Sequence, residues 1–230
     1  MHQNSTHGAR YFTSKCVRYG HPEFEINVSE EEVPRPDIDW MLSTLEAMVA
    51  GGERFKAGET MQIGWMLTRL EPGESGSLRV LEPDMKSLPI VFIDSVKRTI
   101  RDLRAQKDSV DSVLPLDWMQ FPDLRHSLVV QASYKNAKRL VLERLAPQDA
   151  RDSGWWVSDL DVPSQDPKAF ARISLYQLAL DRPELVKFFA FPQGVQVVLD
   201  GRIHVLKDGA ELPVKSGSFL DLLNRREVGF

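Results

Sequence analysis

The chain has 230 residues, of which 42% are hydrophobic and 27% charged, and this ordinary globular composition argues against extensive disorder. Its formal net charge of -4 excludes a global electrostatic attraction to nucleic acid or to an anionic membrane. A single cysteine, Cys16, excludes an intramolecular disulfide framework and a cysteine-rich zinc site.

The N-terminal residues 1–20 predict a polar, disordered lead-in, because Asn, Ser, Thr, His and Gly offer little to a core. This stretch lacks the apolar core of a secretion signal, and no apolar run in the chain is long enough to span a bilayer. We therefore expect a cytoplasmic protein that does not use a membrane. A nucleophilic role for Cys16 is disfavoured, because a lead-in would not hold a thiolate and a base in place.

Residues 21–114 predict an α+β half. Alternation of Phe24, Ile26 and Val28 with polar residues indicates a half-buried strand. Its polar face would hold the three potential metal ligands His21, Glu23 and Glu25. That face fits either a metal site or a solvated strand edge.

A helix capped by Asp37 and ended by Gly51-Gly52 follows the first strand. The apolar residues between Met61 and Leu67 indicate another strand, and the turn at 71–76 returns the chain into a hairpin partner. Residues 88–93 then predict a short buried strand.

A long amphipathic helix is predicted after Asp94. Its core stripe consists of Val96, Ile100, Leu103 and Val110. Another face collects Lys97, Arg101, Arg104 and Lys107. This basic face fits either an anionic partner or an ordinary solvated helix surface.

Residues 115–125 predict the link between two halves, because proline and aspartate crowd together there. Trp118 and Phe121 lie within this segment, so we expect a packed linker and two halves that pack together.

Residues 126–230 predict a second α+β half, with strands near 128–134, 139–145 and 155–157. Asp166-Pro167 is typical of a helix start, and we place 170–180 in that helix. Asp200-Gly201 between two apolar runs predicts a hairpin, and a terminal helix follows Ser218. The predicted fold class is thus α+β, with two mixed halves and mostly antiparallel sheets.

Common catalytic motifs are absent from the sequence. It contains no phosphate-binding Gly-Lys loop, no dinucleotide-binding glycine pattern, no His-Glu-x-x-His and no Gly-x-Ser-x-Gly. His126 and His204 lie beside apolar residues and fit structural or exposed positions better than catalytic ones. We predict no catalytic residue, no metal and no cofactor.

The stretch from Asp152 to Asp161 has the least ordinary local composition, with adjacent Trp155 and Trp156 flanked by carboxylates. Neighbours in a strand must divide between core and surface. Asp159 and Asp161 would lie on one side of an extended segment. They could hold a cation, act as acid and base, or form an acidic rim around an aromatic anchor, as in a protein-binding hot spot.

The order Ser153, Gly154, Trp155, then a proline-started helix, then Pro192 and Gly194, resembles the immunity protein 33 family of bacteria over about 128–199. The resemblance implies a structural role for these five motif residues. It also implies a protein that is not an enzyme and that binds and blocks a toxin delivered between competing bacteria, such as a type VI secretion effector.

Our first hypothesis is therefore a cytoplasmic immunity protein that occludes the toxin's active site through Trp156, Asp159 and Asp161. A metal-dependent or carboxylate-based hydrolase that uses Asp159, Asp161 or the His21 strand face is the first alternative. An adaptor of a secretion apparatus is the second alternative. A tightly bound metal would favour the hydrolase, and stable binding to several apparatus components would favour the adaptor.

Overall fold

The computed structural model describes residues 8–86 and 88–226. The chain divides into two compact units, Met1–Arg104 and Ala105–Phe230. In the described residues each unit combines helices with a mainly antiparallel sheet, so the predicted α+β class is confirmed.

The first unit is built on one sheet with strand order β1-β2-β5-β4-β3, and β6 pairs with β5. Its strands are β1 (Ala9–Phe12), β2 (Phe24–Val28), β3 (Thr60–Ile63), β4 (Met66–Pro72), β5 (Leu78–Pro83) and β6 (Phe92–Ile93). Pairing of β2 with β5 is parallel, and the other described pairs are antiparallel. Helix α1 (Arg35–Ala50) buries Ile38, Met41, Leu45 and Val49 at helical spacing.

The expected disorder of residues 1–20 is wrong for the described part, which begins at residue 8. Strand β1 pairs with β2, and a 3-10 turn follows at Cys16–Tyr19. The Glu23 carboxylate accepts hydrogen bonds from the backbone N–H groups of Cys16 and Val17. Cys16 is fully buried, and burial raises the pKa of its thiol to about 11. Its thiol is therefore protonated at neutral pH, so burial, and not disorder, makes Cys16 a poor nucleophile.

The first unit also corrects two predicted strands. The run from Met61 to Leu67 is two strands joined by a tight turn, because Gly64 adopts a positive φ of 60° and reverses the chain. The buried strand expected at 88–93 shortens to β6, and Leu88 and Val91 are exposed. The antiparallel pairing of β4 with β5 confirms the hairpin that the turn at 71–76 predicts.

His21, Glu23 and Glu25 do not share a polar face. Glu25 is fully buried and accepts hydrogen bonds from Arg79 Nε and Ser77 Oγ, while His21 Nε2 accepts one from the backbone N–H of Phe55. Glu23 caps the turn at Cys16. Within residues 8–86 and 88–226 no group of three or more His, Cys, Asp or Glu could hold a metal ion. The three residues are structural because each is committed to a different local contact.

Helix α2 (Lys97–Asp111) carries the chain from the first unit into the second. Its predicted stripe is confirmed, since Val96, Ile100, Leu103 and Val110 are all buried. Three residues of its basic face have partners in the first unit: Lys97 pairs with Glu32, Arg104 pairs with Asp37, and Arg101 donates to the carbonyl oxygen of Glu32. These contacts leave the anionic-partner reading of that face without support. No helix among the described residues is long and apolar enough to cross a membrane.

The break between the units falls earlier than the linker predicted at 115–125. Gln106 Nε2 already donates a hydrogen bond to the carbonyl oxygen of Val186, at 3.0 Å. The segment 115–125 packs within the second unit, where the backbone N–H of Gln120 donates to the carbonyl oxygen of Ala190. The boundary therefore lies inside α2.

The second unit is a seven-stranded sheet in the order β10-β7-β9-β8-β11-β12-β13. Its strands are β7 (Ser127–Gln131), β8 (Leu140–Arg144), β9 (Asp152–Asp159), β10 (Phe170–Ser174), β11 (Val195–Leu199), β12 (Ile203–Lys207) and β13 (Ala210–Glu211). Only the β7–β9 pair is parallel among the described pairs of this sheet. Helices α3 (Leu175–Asp181) and α4 (Phe219–Arg225) and a 3-10 helix at Pro183–Phe188 complete the unit.

The hairpin predicted from Asp200-Gly201 is confirmed, because β11 and β12 pair antiparallel and Gly201 has a φ of 103°. The predicted terminal helix is confirmed as α4. The helix placed at 170–180 is wrong in its first half. Asp166 does accept a hydrogen bond from the backbone N–H of Lys168, but this caps only a 3-10 turn. Residues 170–174 then form the edge strand β10, and α3 begins after Ser174, whose Oγ accepts from the backbone N–H of Gln177.

Candidate functional site

The two faces of the seven-stranded sheet differ in what lies against them. On one face, the side chains form the core of the second unit, together with buried residues of α3 and of the 3-10 helix. The buried strand residues on this face are Leu128, Val130, Leu140, Leu142, Trp155, Val157, Val195, Val197, Leu199, Ile203 and Val205.

Trp155 and Arg144 join the core face to the chain that follows α3. The Trp155 ring is 1% exposed, and its Nε1–H donates to the carbonyl oxygen of Phe189 at 3.3 Å. The Arg144 guanidinium lies 5.7 Å from that ring and donates to the carbonyl oxygens of Gln120, Phe189 and Phe191. Burial lowers the pKa of Arg144 to about 10. Carbonyl dipoles and an aromatic face thus solvate a buried cation.

Ser153 and Gly154 shape the start of β9. Ser153 Oγ donates to the carbonyl oxygen of Ser127 at 2.8 Å and accepts from the backbone N–H of Trp155. Gly154 has a φ of 77°, and a Cβ atom there would lie 2.2 Å from the carbonyl oxygen of Leu145. Only glycine fits this close approach without displacing the backbone. Ser153 and Gly154 thus set the backbone so that the Trp155 side chain points into the core.

Pro192 and Gly194 lie where the chain enters β11. Pro192 is buried, and Gly194 has a φ of 84°. The backbone N–H of Gly194 donates to the carbonyl oxygen of Arg144 at 2.8 Å, and its carbonyl oxygen accepts from Asp208. Like Ser153, Gly154 and Trp155, these two residues hold backbone in place.

The opposite face of the sheet, which we call the open face, presents mostly partly exposed side chains, although Val129 on this face is buried. Strand register aligns one row of residues across it: Arg172, Val129, Trp156, Glu143, Gln196, Leu206 and Glu211. A second row contains Ser158, Val141, Val198 and His204. The two rows thus mix apolar and polar side chains.

Trp156 lies in the middle of the open face. Its ring is half-buried and contacts the ring of Phe170, with centroids 5.9 Å apart. Beside it, Glu143 Oε1 accepts a hydrogen bond from Gln196 Nε2 at 2.8 Å. Trp155 and Trp156 therefore divide between core and surface as strand geometry requires, and Trp156 is the partly exposed one of the two.

A groove of about 480 Å³ lies at the end of β9, lined by Gln131, Val141, Ser158, Asp159, Leu160, Pro163, Ser164 and Gln165. Val141 and Ser158 belong to the open face, so the groove adjoins the surface that carries Trp156. Gln131 Nε2 donates to the carbonyl oxygen of Val162, and this bond ties the loop that follows β9 to β7.

Asp159 and Asp161 are close but differ in environment. Asp159 is 6% exposed, and one of its carboxylate oxygens accepts the backbone N–H of Asp161 at 2.9 Å. The Asp161 side chain is exposed and pairs with Arg139 at 3.0 Å. This arrangement forms a turn that ends β9. The two carboxylates thus do not share one solvent-facing side, because only Asp159 lies on the groove.

Two features of this surface were missed by sequence reasoning. The sequence predicts Phe170 in a helix, although the pattern of Phe170, Arg172 and Ser174 also fits one side of a strand. For Gln131 the sequence predicts only a position in a β-rich run. Its side chain fixes both walls of the groove, because its Oε1 also accepts the backbone N–H of Asp159 at 2.9 Å.

Residues 105–208 match the family model of the Imm33-like domain. The match begins where the second compact unit begins and ends directly after β12. Curated proteins and solved structures give no significant match to the chain. The second unit therefore carries an Imm33-like domain, which confirms the resemblance found from Ser153, Gly154 and Trp155, and this match suggests an immunity-protein family.

Proposed function

Because residues 105–208 form an Imm33-like domain, we propose that this protein is an immunity protein that binds a cognate bacterial toxin and blocks its active site. The observation that carries the proposal is the open face of the second unit's sheet. It holds a half-buried aromatic pair, Trp156 and Phe170, and Trp156 lies within a row of mixed polar and apolar side chains.

The composition of the open face suits a protein partner better than a small substrate. Tryptophan is the residue most enriched among those that dominate binding energy, and such residues lie centrally and are surrounded by polar groups. Trp156 has Val129 on one neighbouring strand and Glu143 on the other. A partner that covers this row would bury the exposed part of the Trp156 ring.

The proposed mode of inhibition is occlusion. A sheet face is a broad surface that can cover the mouth of an active-site cleft without entering the chemistry itself. The chain's net charge of -4 would favour encounter with a basic toxin such as a nuclease. The cytoplasm as the compartment and a type VI effector as the toxin class remain predictions from the family resemblance.

Co-expression with the product of the adjacent open reading frame tests the proposal. We expect that product to arrest growth alone, and the full-length protein to restore growth and to co-purify with it. Persistent toxicity without a complex would contradict the proposal for this pair.

A matched pair of leucine substitutions locates the surface. Leu206→Glu places a charge on the open face, whereas Leu222→Glu places the same charge on exposed α4. We expect only L206E to abolish growth rescue, because a buried unpaired carboxylate is costly at an interface. Equal rescue by both variants, with both folded, would exclude the open face as the toxin-binding surface.

A further inference from the structure

The Asp159 carboxylate is a nearly buried charge that the rest of the described chain does not neutralise. Within residues 8–86 and 88–226, no lysine, arginine or histidine nitrogen lies within 4.0 Å of it. The neighbouring cation, Arg139, is directed to Asp161 instead. A carboxylate with so little exposure to water gains more from a cationic partner than an exposed one does.

The groove around Asp159 has the walls that a long basic side chain requires. Val141, Leu160 and Pro163 supply apolar surface for an aliphatic stem. Ser158, Ser164 and Gln165 supply oxygen atoms that can accept hydrogen bonds from a guanidinium or ammonium group. An acidic side chain would find no cation on these walls.

The position of the groove connects it with the open face. Ser158 follows Trp156 by two residues on the same side of β9, and Val141 pairs with Ser158 on β8. A protein that covers Trp156 can therefore reach the groove with one side chain from the same surface.

From this juxtaposition we infer that the groove receives an arginine or lysine side chain of the partner protein, and that its cation pairs with Asp159. The inference rests on the proposed function for the identity of that partner as a toxin. It makes the groove a specificity element: a toxin that presents a neutral or acidic residue there leaves Asp159 buried without a counterion, which disfavours binding.

A ligand titration tests the groove without the toxin. The probe is N-acetyl-arginine methylamide, added to the full ¹⁵N-labelled chain and followed by the amide resonances of Ser158, Asp159 and Leu160. The matched control ligand is the citrulline analogue, which has nearly the same shape and no charge. We expect saturable millimolar binding of the arginine probe and at least about tenfold weaker binding of the citrulline probe.

Two variants that each replace a carboxylate by a neutral amide identify the carboxylate that binds the probe. Asp159→Asn keeps an oxygen that can accept the Asp161 N–H, and Glu143→Gln removes a carboxylate from the open face outside the groove. We expect about a tenfold loss of probe affinity in D159N and less than a twofold change in E143Q. Unchanged affinity in a folded D159N, equal binding of citrulline, or no saturable binding would overturn the inference. Micromolar affinity for the free probe would also overturn it, since that would indicate a small-molecule site.

Toxin affinity separates this inference from the proposed function. If wild type binds the toxin and D159N binds it equally well, the groove inference fails while the proposed function stands. If wild type binds no toxin but binds the arginine probe through Asp159, the proposed function fails and the cation-binding groove stands. Loss of at least about tenfold in toxin affinity in D159N alone supports both.

Discussion

Replacement of Asp102 by asparagine should make the first unit more stable at neutral pH. Asp102 lies on α2 and is 8% exposed, and its carboxylate accepts a hydrogen bond from Arg98 Nε at 2.9 Å. Burial raises the pKa of Asp102 to about 6 from an ordinary value of 3.8, despite the attraction of Arg98, and the nearby Glu82 charge raises it further.

The sign and size of the effect follow from linkage. Because folding raises the pKa of this group, its protonated form contributes its full stabilisation below pH 3.8. That stabilisation is lost as the pH rises through about 6 and the group ionises. The full loss corresponds to about 3 kcal/mol at neutral pH. Asparagine is neutral at every pH in this range, so D102N does not lose this stabilisation.

The measurement is urea unfolding of wild type and D102N between pH 4.5 and 7.5, followed by tryptophan fluorescence. We expect the advantage of D102N in unfolding free energy to grow by about 2 kcal/mol over this range. Asp39→Asn is the control, because Asp39 is exposed on α1 and pairs with Arg35 there. A difference between D102N and wild type that does not change with pH, or that shrinks as the pH rises, would refute the reasoning.

The remaining stability predictions concern β9. Trp155→Ala should cost about 3–5 kcal/mol of unfolding free energy, because it opens a cavity in the core. Trp156→Ala should cost less than half as much. Equal losses in denaturant unfolding would contradict the assignment of Trp155 to the core. Gly154→Ala should cost at least about 1 kcal/mol more than Gly217→Ala. Both glycines have a φ near 76°, but only Gly154 has a backbone oxygen at the Cβ position; equal melting temperatures would show that the chain relaxes around the added methyl group.

Local patterns predicted those parts of the fold that local chemistry decides. Asp200-Gly201 specifies a tight reversal by itself, and the apolar stripe of α2 repeats over several turns, so both predictions are confirmed. The start of a helix at Asp166 was also a local signal. Residues 170–174 form a strand instead, because they gain backbone hydrogen bonds with β7. This partner lies about forty residues away, and the local sequence does not reveal it.

Burial of polar residues was the least predictable feature. Cys16 is buried because Glu23 caps its turn and α1 packs against that turn, and neither contact is visible in the composition of residues 1–20. Asp159 is buried because a loop bound to Gln131 closes over the end of β9. The division of Trp155 from Trp156, in contrast, needs only strand alternation. The location of Phe170 beside Trp156 needs the register of the three strands β10, β7 and β9, which the sequence does not state.

The most direct test of the central claim is the affinity of the toxin for two tryptophan variants of the full chain, measured by calorimetry. Trp156 lies on the open face. Trp118 is 43% exposed and contacts Lys207, which lies on the same side of β12 as the core-face residues Ile203 and Val205. We predict that Trp156→Ala weakens binding by about 2 kcal/mol or more, and that Trp118→Ala leaves the affinity unchanged. Equal affinity of W156A and wild type, with both proteins folded, would contradict the account.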